Sequence, residues 1–197
     1  VVNIIDTEAS GQTTYRLAAA CALRGHKVWL INAGNFSFDP DDRISAFAVA
    51  APEKPTSSVD GFLDALKLKG RRKRWIAVDE LDILLLRNNP ARQTPWAQHA
   101  GIHFGRLATR RGVIVLNDPN GLSKAMNKLY LQTFPEPVRP RTLVTRSFER
   151  VADFLDDQGT VIIKPLQGSG GAGVFVARRN EVHNLEEIFE AVSRDGY

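Results

Sequence analysis

One cysteine and one methionine stand in 197 residues. A single thiol excludes an internal disulfide framework and fits a reducing, cytoplasmic compartment. Cys21 lies in LAAACAL, an apolar helical pattern, where a small buried side chain is the expected role rather than a nucleophile. No apolar run approaches the ~20 residues that cross a bilayer. VVNIID at the N-terminus lacks the basic lead-in of a signal peptide. It also lacks an initiator Met and opens inside what reads as a strand, so the chain reads as trimmed there. No G-x-S-x-G nucleophile elbow occurs. His99 and His103 stand at the helical i, i+4 spacing of metal ligands, but no third ligand and no HExxH glutamate accompany them, so they read as surface or interface histidines. Asp79, Glu80 and Asp82 crowd into VDELD, where a polar loop ahead of a buried strand accounts for them.

What is present is ordinary for a soluble globular protein: 43% hydrophobic and 24% charged residues. The length allows one large domain or two small ones with a real core. The net charge is +4 and the pI about 9.4. Much of the excess is local, in KLKGRRKRW, residues 67–75. That run has no aromatic interleaving and no DNA- or RNA-binding motif beside it. It reads as a solvated turn between a helix and a strand, and no nucleic-acid or membrane partner is expected. Mild basicity also suits an anionic substrate such as a nucleotide.

Strand and helix patterns alternate through the first part. VVNIID reads as a strand, residues 12–24 as a helix closed by Gly25, and KVWLIN (27–32) as a second strand. SVDGFLDALKLKG is a helix with apolar Phe62, Leu63, Leu66 and Leu68. LDILLLR (81–87) and VIVLND (113–118) are apolar runs without alternation, as in strands buried on both faces, and a helix spans about 94–110 between them. The expectation is an α/β fold, a three-layer N-terminal domain with a parallel sheet over residues 1–119. From 120 to 197 a smaller α+β region is expected. There GLSKAMNKLYLQT (121–133) reads as an amphipathic helix. PEPVRPR, with three of the ten prolines, reads as extended and non-helical, and TLVT as a short strand. SFERVADFLDDQG reads as a helix with Ser147 as N-cap and Gly159 as its stop. TVIIKP, the loop GSGGAG, GVFVAR and a final helix NLEEIFEAVSRDG complete the chain.

GSGGAG, residues 168–173, satisfies G-x-G-x-x-G as Gly168, Gly170 and Gly173. A dinucleotide fingerprint needs a helix after its last glycine. VFVARR follows instead, β-branched and aromatic, so that reading fails. Walker A fails too, for no Gly-Lys-Ser/Thr follows. A flexible linker does not fit between two apolar strands. Two readings remain: a hairpin with a glycine-rich turn, and a phosphate flap between antiparallel strands. Hairpin turns need only one or two glycines. Glycine lets backbone N–H groups approach an anion without an intervening Cβ, and Lys164 ends the preceding strand, where a nucleotide phosphate would give it a reason. Its alternative is a strand end snorkelling to water. The flap accounts for more of the residues.

LNDP (116–119), NKLY (127–130), PRTLVTR (140–146) and IIKPLQGSGGAGVF (162–175), in this order, resemble bacterial glutathione synthetases of the ATP-grasp superfamily. Upstream, LDILLLRNNP (81–90) resembles the strand and loop that end the family's substrate domain. The resemblance implies ATP-dependent ligation of a carboxylate to an amine through an acyl phosphate, with γ-glutamylcysteine as the acid and glycine as the amine. It implies ATP and Mg2+ as cofactors, and a homo-oligomer stays open because the family is commonly oligomeric. It makes Lys128 and Lys164 phosphate ligands, closes Gly168, Ser169, Gly170, Gly171, Ala172 and Gly173 over the phosphates, and turns Arg87 toward the acid substrate. Arg87 could instead clamp backbone carbonyls.

This sequence departs from the family pattern in two places. It has LQGSGG where LDGMGG is usual, and Arg87-Asn88-Asn89-Pro90-Ala91 where R-K-D-P-P is usual. Related peptide or glutamate ligases, and a nucleotide-binding module without catalysis, are the alternatives. The family's adenine hinge and its acidic and Asn magnesium ligands come later than SRDGY, so the metal ligands are expected outside this chain. Alone, the chain is then expected to bind ATP weakly and ligate nothing. The flap is expected to be mobile without nucleotide, since four glycines cost conformational entropy to fix.

Overall fold

The computed structural model describes residues 1–7, 12–52, 58–68, 71–89, 95–168 and 170–193, and of residues 95–98 the backbone alone. The chain divides into two compact units, Val1–Ser123 and Lys124–Tyr197.

In the first unit α1 (Thr13–Leu23) is alanine-rich and ends in a Schellman turn. The His26 amide donates to the Cys21 carbonyl (3.2 Å) and the Gly25 amide to that of Ala22 (3.0 Å). Gly25 takes the left-handed φ of 85° that this turn requires, so it closes the helix as its position in the sequence indicated. α2 (Val59–Lys67) starts at Ser58, whose Oγ accepts from the Gly61 amide. Its apolar face buries Phe62, Leu63 and Leu66, whereas Leu68, just past the end, is 64% exposed.

The α/β class and the three layers are present. β1 (Trp29–Phe38), β2 (Ile44–Ala50) and β3 (Lys73–Ala77) form an antiparallel sheet, while β4 (Ile83–Leu85) and β5 (Ile114–Leu116) pair in parallel. The N-terminal residues join the two. The Val2 amide donates to Ile31 and the Ala33 amide to Val2. On the other side Val1 donates to the Leu85 carbonyl and the Arg87 amide to Val1. Parallel pairing thus runs from β1 through Val1 and Val2 to β4 and β5, with the antiparallel hairpin added at one side. Alternation along the strands sorts the side chains onto two faces. Leu30 and Val49 pack with Tyr15, Ala19, Phe62, Leu63 and Leu66 of α1 and α2. Ile31, Ala46, Ala48 and Ile76 pack with Ala108 of α3 (Pro95–Arg110), to which Phe36 adds a ring stacked on Phe104 at 4.7 Å.

Several expectations change here. VVNIID is not a full strand: only its first residues pair, and Ile5–Thr7 turns into a 3-10 helix. The strand expected over 27–32 starts at Trp29 and runs on to Phe38, past a register shift between Ile31 and Phe36 that takes up the poor strand formers Gly34 and Asn35. β2 and β3 had not been anticipated. The basic run is only partly a turn, since Lys73, Arg74 and Trp75 lie in β3, at the edge of its sheet, where charge discourages pairing with another chain. Arg74 also lies over the Trp29 ring at 4.6 Å. Cys21 is half-buried rather than fully in the core.

Arg71, from the same basic run, donates to both Asp6 oxygens (2.6 and 3.1 Å) and to the Leu66 carbonyl (2.8 Å). That hydrogen bond holds the Asp6 carboxyl below its ordinary 3.8, with the charges of Arg71, Lys73 and Lys67 adding to it. A depressed carboxylate stabilises the fold above its unfolded value, and the contribution disappears as pH falls through the lower, folded value. Asp6 is 58% exposed, so solvent screening limits the contribution to at most about 1 kcal/mol. Asp6→Asn should therefore be less stable than the parent at pH 7 and equal to it at about pH 2. A difference that persists in acid would assign the effect to something other than the ion pair.

In the second unit β6 (Thr160–Ile163) and β7 (Phe175–Arg178) form an antiparallel hairpin in the register Thr160↔Arg178 to Ile163↔Phe175. Val161 and Ala177 face Leu155 of α5 (Phe148–Gln158) and Leu185 of α6 (Leu185–Ser193). α5 begins and ends as its sequence indicated: Ser147 Oγ accepts from the Arg150 amide, and Gly159 stops it at φ 72°. Residues 121–133 differ from the expected single helix. α4 (Pro119–Lys124) stops, and a 3-10 helix, Lys128–Thr133, starts afresh. Asn127 breaks the run, because its side chain accepts from the Leu129 amide and competes with helix continuation. PEPVRPR contains a 3-10 turn, Glu136–Val138, which proline tolerates at a helix start. TLVT pairs with no strand among the described residues.

Candidate functional site

The loop between β6 and β7 is where the sequence pointed. All four glycines have positive φ: 111° at Gly168, 71° at Gly170, 80° at Gly171 and 68° at Gly173. An L-residue pays about 1–2 kcal/mol for such a conformation, so the backbone path itself requires this many glycines. Gly173 also passes close to Pro165, where a Cβ would come within 3.3 Å of its Cδ. At Gly171 a Cβ would meet nothing within 4 Å, so that stretch of backbone is open. The loop closes with the Val174 amide donating to the Gly171 carbonyl (3.3 Å). Among the described residues the amides of Gly170, Gly171, Ala172 and Gly173 have no hydrogen-bond partner. Exposed N–H groups on a glycine backbone are what an anion needs. Ser169 lies outside the described residues. A strand, not a helix, follows the glycines.

Lys164, directly after β6, is exposed, and its ammonium has no hydrogen bond or ion pair among the described residues. Lys128 differs. Its Nζ donates to the carbonyls of Pro165 (2.7 Å), Gly168 (3.2 Å) and Leu166 (3.4 Å). Its amide donates to Leu166 as well (3.0 Å). Burial, and then the charge of Lys164, hold the Lys128 pKa below its ordinary 10.5. The structure therefore brings Lys128, Lys164 and the glycines to one loop. Sequence reasoning missed Pro165 as the residue against which the loop packs, and the turning of Lys128 toward carbonyls. Only Asn127, a cap signal ahead of the lysine, hinted at the second.

Arg87 belongs to the first unit and follows β4. Its amide pairs with Val1, and its exposed side chain has no hydrogen bond or ion pair among the described residues. Beside it a side-chain clasp extends the sheet: Asn3 Nδ2 donates to the Asn89 carbonyl (3.0 Å), and the Asn89 amide donates to Asn3 Oδ1 (2.6 Å). Arg87 thus stands at the carboxyl end of a parallel strand, where open α/β sheets place ligands. Pro90 and Ala91 lie outside the described residues.

Of the other polar candidates, Asp79 and Glu80 bond within the fold. Asp79 Oδ2 accepts from the Ile44 amide (3.2 Å), and Glu80 pairs with Arg43 at 2.7 Å. The rings of His99 and His103 are 6.1 Å apart. Among the described residues no group of three or more His, Cys, Asp or Glu side chains gathers, so they build no site for a metal. Among them, too, no helix is long and apolar enough to cross a membrane.

The second unit belongs to the ATP-grasp class: residues 127–197 match the family described as prokaryotic glutathione synthetase, ATP-grasp domain. Residues 2–123 match prokaryotic glutathione synthetase, N-terminal domain. The chain belongs to the prokaryotic glutathione synthetase family. It is similar to the glutathione synthetase of Gloeobacter violaceus, 30% identical over 201 residues, which covers 100% of this chain and 59% of that protein. Its similarity to the enzyme of Vibrio cholerae is 35% over 126 residues, covering 64% of this chain and 38% of the relative. The corresponding figures for Vibrio parahaemolyticus are 32% over 126 residues, 64% and 39%. The chain thus spans 38% to 59% of the length of these relatives.

Proposed function

We propose that this chain serves an ATP-dependent carboxylate–amine ligase acting through an acyl phosphate, with γ-glutamylcysteine as the acid and glycine as the amine. The observation that carries the reading is the loop: left-handed glycines whose N–H groups, and the neighbouring Lys164 ammonium, have no hydrogen-bond partner among the described residues. Phosphoryl transfer asks the protein mainly for positioning and for positive charge around the transferring group. In this reading Lys164 supplies the charge, and Gly168, Ser169, Gly170, Gly171, Ala172 and Gly173 supply backbone donors. Lys128 completes the loop, and Arg87 receives the acid substrate's carboxylate. The Arg87 guanidinium after β4, exposed and without a hydrogen bond or ion pair among the described residues, supports that last role. Magnesium belongs to the same chemistry, but the described residues offer it no cluster of donors, and no role of a named residue here depends on it. A cytoplasmic location fits the single half-buried thiol.

Calorimetric titration with ATP tests the reading. A charge-assisted contact is worth roughly 1.5–3 kcal/mol. Lys164→Ala should therefore weaken ATP binding about tenfold to thirtyfold, toward the lower end because the site is exposed, with the melting temperature unchanged. Unchanged affinity would refute the phosphate role. Release of phosphate from ATP that requires both γ-glutamylcysteine and glycine would support these substrates. ATP binding without turnover would favour a nucleotide-binding module.

A further inference from the structure

β4 ends at Leu85, yet the backbone beyond it is still held on both sides of Arg87. Ahead of Arg87, the Leu86 amide donates to the Leu116 carbonyl of β5. The Arg87 amide itself donates to the Val1 carbonyl (3.1 Å). After it, Asn89 is held twice. Its amide donates to Asn3 Oδ1 (2.6 Å), and its carbonyl accepts from Asn3 Nδ2 (3.0 Å). These two bonds repeat the donor and acceptor of a parallel ladder, but one side of the rung is a side chain. The reason lies two residues on. The Ile5 amide donates to Asn32 Oδ1 (3.0 Å), and the chain turns into the 3-10 helix Ile5–Thr7. As the backbone leaves the sheet, only a side chain with a donor and an acceptor in one planar group can carry the pairing on, and asparagine is the shortest that has both. Asn3 is half-buried, whereas the Arg87 side chain it flanks is exposed.

We propose that Asn3 is a positioning residue for Arg87: its side-chain amide extends the sheet past the end of β4 and fixes the backbone from which the guanidinium reaches the acid substrate. The inference rests on the reading of Arg87 as the group that receives the substrate's carboxylate. A long side chain presents its charge at a set place only when its base is fixed, and a small misplacement of such a group is costly.

Backbone 15N relaxation without ligand, on the whole chain, reads the hold directly. In the parent, the amides of Arg87, Asn88 and Asn89 should have order parameters of about 0.85. Asn3→Ala should drop that of Asn89 below about 0.6, with the amides of β4 and β5 unmoved. Asn3→Ser, whose hydroxyl is too short to span both groups, serves with the same expected loss should alanine unfold the sheet. Asn3→Asp keeps an acceptor for the Asn89 amide and should restore its order at least halfway. An Asn89 amide that stays rigid without the Asn3 side chain would overturn the inference, as would failure of aspartate to restore it. Calorimetric titration with γ-glutamylcysteine reads the consequence. Asn3→Ala should weaken binding about threefold to tenfold, the range for a side chain that must be ordered again on binding. In an Arg87→Met background the same change should cost nothing further, within about twofold, because Asn3 acts through Arg87. An equal loss in both backgrounds would overturn the positioning role, as would loosened amides with unchanged affinity in a protein that Arg87→Met does weaken. If the amides loosen while Arg87→Met leaves affinity unchanged, or the parent binds no γ-glutamylcysteine, the hold on the segment stands and the substrate reading of Arg87 fails.

Discussion

A Phe62→Ala variant should lose about 3–5 kcal/mol of stability, the usual cost of removing a fully buried aromatic ring. The ring sits on the apolar face of α2 with no solvent exposure, packed among Tyr15, Leu30, Val49 and Leu66. The cluster joins two helices to one face of the sheet, so few neighbours are free to collapse into the hole. A domain's whole stability is only about 5–15 kcal/mol, so Phe62→Leu, at about 1–1.5 kcal/mol, supplies a milder point on the same scale. Urea unfolding followed by tryptophan fluorescence measures both, since Trp29 and Trp75 lie in this unit's sheet. A loss below 1 kcal/mol for the alanine variant would mean that the cluster repacks and that Phe62 is no anchor.

Gly105→Ala has an expected sign opposite to the one helix propensity gives. Glycine inside a helix costs about 0.5–1 kcal/mol relative to alanine, and Gly105 is inside α3, so on propensity alone alanine should stabilise. In the structure a Cβ there would stand 2.8 Å from Leu86 Cδ1 and 3.0 Å from Pro119 Cγ. Leu86 is in the core and Pro119 is buried, so neither can give way freely. Overpacking costs typically 1–3 kcal/mol, which outweighs the propensity gain. Gly105→Ala should be destabilised by about 1–2 kcal/mol, and Gly105→Val by about 3 kcal/mol or more, as branching adds to the clash. A more stable alanine variant in thermal unfolding would show that α3 can move away from β4.

Local chain chemistry settled a good deal. Gly25 and Gly159 stop α1 and α5 because a left-handed residue must stand there, and Ser58 and Ser147 accept the first orphan amides of α2 and α5. The β-branched run after GSGGAG ruled out a helix, and with it the dinucleotide reading, before any coordinates. Those are interactions between residues near in sequence, and they can be read along the chain. β2 could not be read so. In ISAFAVA the inward positions include Ala46 and Ala48, weak strand formers that are fully buried because α3 lies close above them. Nor could the pairing of Val1 and Val2 between β1 and β4, which joins residues 84 apart. The glycine loop divides along the same line. Its glycines and Lys164 announce themselves by composition and spacing. That Lys128 turns its ammonium to three carbonyls depends on residues 37 to 40 positions away, and only the folded chain brings them together.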